Sequence, residues 1–135
     1  MRNLKSLLLV SALSIAACAN SGYVLTPSSD VPAGVGSVKV NQGANGNSEI
    51  HLEVRHLAPA ARVAPGATTW VVWTRAVSGN PVAQNAGALL LNDAEGHLDT
   101  VSPLHAFQIF LTAEPSAQVN APTGKPQFLT DIGMN

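Results

Sequence analysis

The side chains that could do chemistry are four histidines and a scatter of acids. His97 and Asp99 stand two apart, the spacing that puts two side chains on one face of a strand, and His105 follows in the next loop. A zinc or copper site drawn from His97, Asp99 and His105 would need three or four convergent donors in an ordered surround, and the sequence offers a pair with a neighbour. His51 and His56 lie five apart in one extended stretch, which sends them to opposite faces unless a bulge intervenes. Asp99, Ser102 and His105 are the residue types of a hydrolytic triad, but Pro103 interrupts the segment and no Gly-x-Ser-x-Gly elbow surrounds the serine. The acids sit at turns and polar faces rather than as a facing pair of the kind that cleaves glycosides. No glycine loop opens a helix to cradle phosphate. The expectation is a chain without catalytic residues, metal ligands or cofactor.

Two further residues bear on partners. Along Ala106–Ala113 the apolar residues Phe107, Ile109 and Leu111 share one face, and Phe110 falls on the other. An exposed aromatic there would mark an interaction surface, whereas a second covering layer would bury it. Glu114 closes the stretch just before Pro115, where a carboxylate can cap the backbone N–H groups of a loop. Phe110 and Glu114 are the candidate interaction surface.

The elements that must position these residues read as strands. Thr68–Val77 is β-branched and aromatic, free of Gly and Pro, and fenced by Pro65-Gly66 and Ser78-Gly79-Asn80-Pro81. Trp70 and Val72 point one way and Val71 and Trp73 the other, which predicts a strand covered on both sides. Glu49–Leu57 alternates Ile50, Leu52 and Val54 against His51, Glu53 and Arg55, the pattern of a half-buried strand. Tyr23–Thr26, Val35–Val40, Val82–Asn92 (Leu89 and Leu91 inward), His97–Ser102, Ala106–Ala113 and Gln127–Ile132 complete a set of about eight. Asn45-Gly46 marks a hairpin between the second and third. No segment shows a helical period, beyond a turn near Ala58–Arg62 or Leu104–Phe107. The predicted fold is an all-β antiparallel β-sandwich of about seven to eight strands over residues 23–135.

Residues 1–17 are a targeting segment: Arg2 and Lys5 precede a short apolar run, Ser6–Ile15, well below the roughly 20 residues that span a bilayer. The run ends in Ile15-Ala16-Ala17-Cys18, which resembles the bacterial lipobox. The resemblance implies a diacylglyceryl thioether on Cys18, cleavage before it and acylation (palmitate among the acyl chains) of the new amino terminus. Residues 18–22 are then the lipidated Cys and a short tether. The chain has one Cys, so a disulfide, a thiolate nucleophile or a Cys-rich zinc site has no residue left within the domain. From residue 18 onward five bases face eight acids, a net charge of −3 with no basic patch. Nucleic acid is therefore not an expected partner, and attachment to membrane falls to the lipid rather than to charge. The expected address is the cell envelope, facing periplasm or exterior. Ala19 rather than Asp after the Cys is compatible, by family resemblance, with the outer membrane where there is one.

Trp70-Val71-Val72-Trp73, Gly87-Ala88-Leu89 and Phe107–Pro115, in that order and spacing, resemble small exported bacterial lipoproteins of unassigned function. More distantly they are similar to the extracytoplasmic C-terminal domain of anti-sigma-K factors, an immunoglobulin-like sandwich. The likeness covers residues 23–133 and implies the fold; the sigma-binding domain and membrane helix of those regulators have no counterpart in this sequence. Trp73-Thr74-Arg75 is similar to the core-tryptophan strand of immunoglobulin domains, which implies that Trp73 faces the core. The functional expectation is a lipid-anchored module that binds or builds, with an envelope protein as its partner.

Overall fold

The alternation of Glu49–Leu57 becomes a strand whose inner residues Ile50, Leu52 and Val54 are fully buried while His51, Glu53 and Arg55 face solvent. That strand, Ser48–Arg55, is β3 of a computed structural model that describes residues 21–79 and 81–133. The other strands are β1 (Ser21–Pro27), β2 (Val35–Gln42), β4 (Thr69–Ala76), β5 (Gln84–Leu89), β6 (Leu91–Asn92), β7 (Glu95–Ser102), β8 (Phe107–Glu114) and β9 (Phe128–Ile132). One short helix, α1 (Ala60–Val63), lies in the connection where a turn is expected. No helix among the described residues is long and apolar enough to cross a membrane. The expected targeting segment 1–17 and the expected lipidation position Cys18 lie outside the described residues.

The fold is all-β and every strand pair is antiparallel, as the sequence predicts. All nine strands belong to one sheet in the order β5-β4-β8-β9-β1-β2-β3-β7-β6. Strand β1 is the corner: Ser21–Leu25 pair with β2 and Thr26–Pro27 with β9, so one chain segment joins the two facing layers. The outer layers also approach at the other side, where Thr100 Oγ1 donates to the Ala86 carbonyl at 3.0 Å and Leu98 packs over Gly87. The sandwich is therefore nearly closed. The ninth strand arises because the Val82–Asn92 segment breaks at Leu90, which points to solvent between buried Leu89 and partly buried Leu91.

The main core fills the space between the layers with Leu25, Val38, Ile50, Leu52, Val54, Trp70, Val72, Leu89, Ile109, Leu111 and Phe128. Trp70 anchors it, and its Nε1 donates to the Ala58 carbonyl at 3.0 Å so that the indole is buried without an orphan donor. Trp73 is buried too, but on the far side of β4. It packs with Val71 and Phe110 in a second cluster, beneath Ala83 and Val119. The expectation that Trp73 faces the inter-layer core is corrected: alternation gives that place to Trp70, three residues away and so, by an odd step, on the opposite face of the strand.

Candidate functional site

Among the described residues, Glu114 is the ionisable side chain that the fold buries outright, with none of its surface exposed. It sits at the end of β8, and its carboxylate gathers the loop that follows. Oε1 accepts from Thr112 Oγ1 at 2.5 Å, from Thr123 N at 2.9 Å and from Gly124 N at 3.3 Å. Oε2 accepts from the Thr123 hydroxyl. Burial pushes the carboxyl up, but these hydrogen bonds from Thr112, Thr123 and Gly124 outweigh it and hold the group below the ordinary Glu value. The loop-capping role expected for Glu114 is what the geometry shows. Its anchored loop, Pro115–Gln127, lies over Phe110 and Trp73 with Val119, and Asn85 Nδ2 holds it from β5 through the carbonyls of Ala117 and Val119 at 2.9 and 3.0 Å.

Phe110 is accordingly only 2% exposed and Glu114 0%. The candidate interaction surface is corrected: the covering layer wins at Phe110, and neither side chain is presented to a partner. Phe110 does lie opposite Phe107 and Ile109, and Arg75 stacks its guanidinium 5.0 Å from the ring centre.

The polar chemistry gathers instead on the outer face of β2, β3 and β7. Register places Lys39, His51 and Asp99 in one cross-strand row and Ser37, Glu53 and His97 in the next. His51 Nδ1 lies 2.7 Å from Asp99 Oδ1, with the two side chains 46% and 70% exposed. Together with Leu52, these six residues line a shallow groove of about 290 Å³. Across it His51 faces Asp99 and Glu53 faces His97. Among the described residues, no group of three or more His, Cys, Asp or Glu is placed to hold a metal ion.

His105 does not join this group. It lies past the opposite end of β7 from His97, in the β7–β8 connection beside Gly133. From Asp99 to Ser102 alone the strand rises about 10 Å. The trio His97, Asp99 and His105 is therefore corrected to a pair on one strand, with His51 as the neighbour that the register supplies. Asp99, Ser102 and His105 likewise do not converge. Ser102 is 3% exposed, and its hydroxyl accepts from Leu104 N at 3.2 Å, closing a turn that Ser48 Oγ braces by donating to the Leu104 carbonyl at 2.7 Å. Asp99 leaves the strand on the other face, toward His51.

His56 follows β3 at φ +56°, in the left-handed region, and so belongs to neither face of that strand. The cross-strand meeting of His51 with Asp99 is the feature that spacing along one strand misses. The alternation of both strands shows that each side chain points outward; only the pairing offset, fixed by the turns between them, shows that they are opposite. No family model, no curated protein and no solved structure matches the chain.

Proposed function

We propose that the chain is a lipid-anchored envelope β-sandwich that serves as a binding or structural module and carries out no catalysis of its own. The observation that carries this reading is where the fold spends its buried polar groups. Glu114 takes four protein donors to pin a loop, and Ser102 closes a turn. The strands thus form a rigid frame, and the polar groups left to solvent form cross-strand pairs on an open face. Anchoring is supported by Ile15-Ala16-Ala17-Cys18 and the apolar run before it. The partner class is an envelope protein met in the space beside the membrane.

Capture on the acylated protein from detergent-solubilised envelope, against the same preparation with a scrambled lipoprotein control, is the experiment. A specific partner at defined stoichiometry supports the module. Turnover of ester, glycoside or peptide substrates that is abolished by Ser102→Ala or His105→Ala overturns it. Stoichiometric zinc or copper in protein purified without added metal, lost in His97→Ala, would replace it with a metal-binding role.

A further inference from the structure

Three non-glycine residues among those described hold a positive φ, and all three line one pocket: His56 at +56°, Asp93 at +49° and Ala94 at +63°. Asp93 and Ala94 are the central residues of the hairpin between β6 and β7, where Asn92 pairs with Glu95. A two-residue hairpin turn asks for φ above zero at both places, and Gly rather than Ala meets that demand without strain. His56 makes the same excursion at the exit from β3. Backbone strain of this kind collects at sites that the surrounding structure holds in place, which turns attention to what the pocket could take.

The pocket, about 520 Å³, lies between two walls. One is the connection from β3 into α1, which brings His56 and Arg62; the other is the β6–β7 turn, which brings Asp93. Hydrogen bonds fix both walls. Leu57 N donates to the Ala94 carbonyl at 3.0 Å, Arg62 N to the Pro59 carbonyl at 2.9 Å, and Trp70 Nε1 to the Ala58 carbonyl at 3.0 Å. Pro59 and Leu91 form an apolar floor over buried Leu57. Arg62, His56 and Asp93 are exposed, yet among the described residues no ion pair joins Asp93 to either base. Elsewhere a surface pair does close, Lys125 on Asp30 at 2.7 Å. Here a guanidinium and a carboxylate stand apart across an apolar floor.

We infer that this pocket binds an apolar α-amino acid, free or as a dipeptide of such residues. The ligand's carboxylate meets the Arg62 guanidinium, whose fork matches a carboxylate at two points, with the His56 ring as a further donor. Its ammonium meets the Asp93 carboxylate, and its side chain lies on Pro59 and Leu91. The volume falls within the range of small-molecule sites, about 300–1,000 Å³. A ligand bearing only an anion is repelled by Asp93 and one bearing only a cation by Arg62, so the two walls select a zwitterion. The assignment is independent of the lipid anchor and of the protein partner: the failure of either leaves it standing, and its own failure leaves both.

The test titrates the full chain, held in detergent, with L-leucine and with leucyl-leucine by isothermal calorimetry. Isocaproate, which lacks the ammonium group, and isoamylamine, which lacks the carboxylate, are the truncated probes. Leucine or the dipeptide should bind at least about tenfold tighter than either truncated probe, and the tighter of the two names the form the pocket takes. Asp93→Asn should bring that zwitterion down to the isocaproate level, and Arg62→Gln to the isoamylamine level. Both positions are exposed, so urea midpoints should hold, which separates lost binding from a lost fold. No heat from leucine or the dipeptide up to about 10 mM overturns the assignment. So does binding that survives both substitutions. Isocaproate or isoamylamine binding as tightly as the zwitterions to the wild type overturns it as well, because the pocket would then be a simple charge contact.

Discussion

Trp73 and Glu114 are joined through a single hydroxyl: the indole Nε1 donates to Thr112 Oγ1 at 2.8 Å, and Thr112 donates on to the carboxylate at 2.5 Å. The chain of donors runs in one direction and ends on a buried negative charge that, among the described residues, has no ion-pair partner. Loop N–H and hydroxyl dipoles stabilise that charge, so the loop and the second aromatic cluster are one unit.

Replacing Glu114 tests that unit. In Glu114→Gln the carboxylate's second oxygen becomes an NH2 group, which faces donors where an acceptor is needed. The expected loss is about 2 kcal/mol, the cost of leaving buried donors unmatched. Urea unfolding should show a lower midpoint at an unchanged slope. The emission of Trp73 should shift red in the native baseline as the covering loop loosens. An unchanged midpoint would mean that the loop is held by Asn85 and Val119 alone.

Acid acts on the same group with a definite sign. The Glu114 carboxyl titrates lower in the folded than in the unfolded chain, so the unfolded chain takes up the proton first. Its contribution is fully present above the unfolded-state value and is lost as pH falls through the lower folded-state value. Asp30 moves the same way, through hydrogen bonds from Lys125 and Gln127, but it is exposed and its part should shrink with salt. Urea midpoints measured as pH falls through and below the carboxylate range should therefore drop for the wild type. In Glu114→Gln the drop should be shallower, and 1 M salt should flatten the Asp30 component only.

A close approach in the corner strand gives a third test. Leu25 and Gly36 are direct cross-strand partners, and a Cβ on Gly36 would stand 2.7 Å from Leu25 Cδ1 and 2.8 Å from Leu25 Cβ. The first atom can swing away, while the second is fixed to the backbone and would force β1 and β2 apart. Gly36→Ala should cost about 1–3 kcal/mol, the usual penalty for overpacking. Gly22, in the same strand pair opposite Lys39, has nothing within 4 Å of its added Cβ. Gly22→Ala should leave the thermal midpoint nearly unchanged, and a matching drop in both variants would argue against the steric cause.

Alternation made most of this frame legible before any coordinates. It gave the two-faced burial of Thr69–Ala76, the half-buried β3 and the inward Leu89, because each depends on a two-residue period that the sequence displays directly. What covers Trp73 and Phe110 is not legible. Their burial depends on a loop of Pro, Ala, Ser and Asn folding back over them, and such a loop is polar by composition whichever way it turns. The place of Glu114 at a strand end allows a cap as well as an exposed interaction residue, and its partner Thr123 lies across the loop, where no local spacing points. The His51–Asp99 meeting does not show for the complementary reason: register between β3 and β7 is a property of two chain segments 48 residues apart.

That meeting is also the contact whose removal should matter least to the fold. His51 and Asp99 approach to 2.7 Å, but both are well exposed, so water competes for each partner and holding two side chains in one geometry costs rotamer freedom. Asp99→Asn keeps shape and removes the charge; it should change stability by about 0–1 kcal/mol in urea titrations. If this face meets an envelope partner, the same substitution should weaken capture while the unfolding midpoint holds, because the open face then contributes to binding rather than to folding. A loss of several kcal/mol in stability would show instead that the row Lys39–His51–Asp99 braces the sheet, and it would move the partner surface elsewhere.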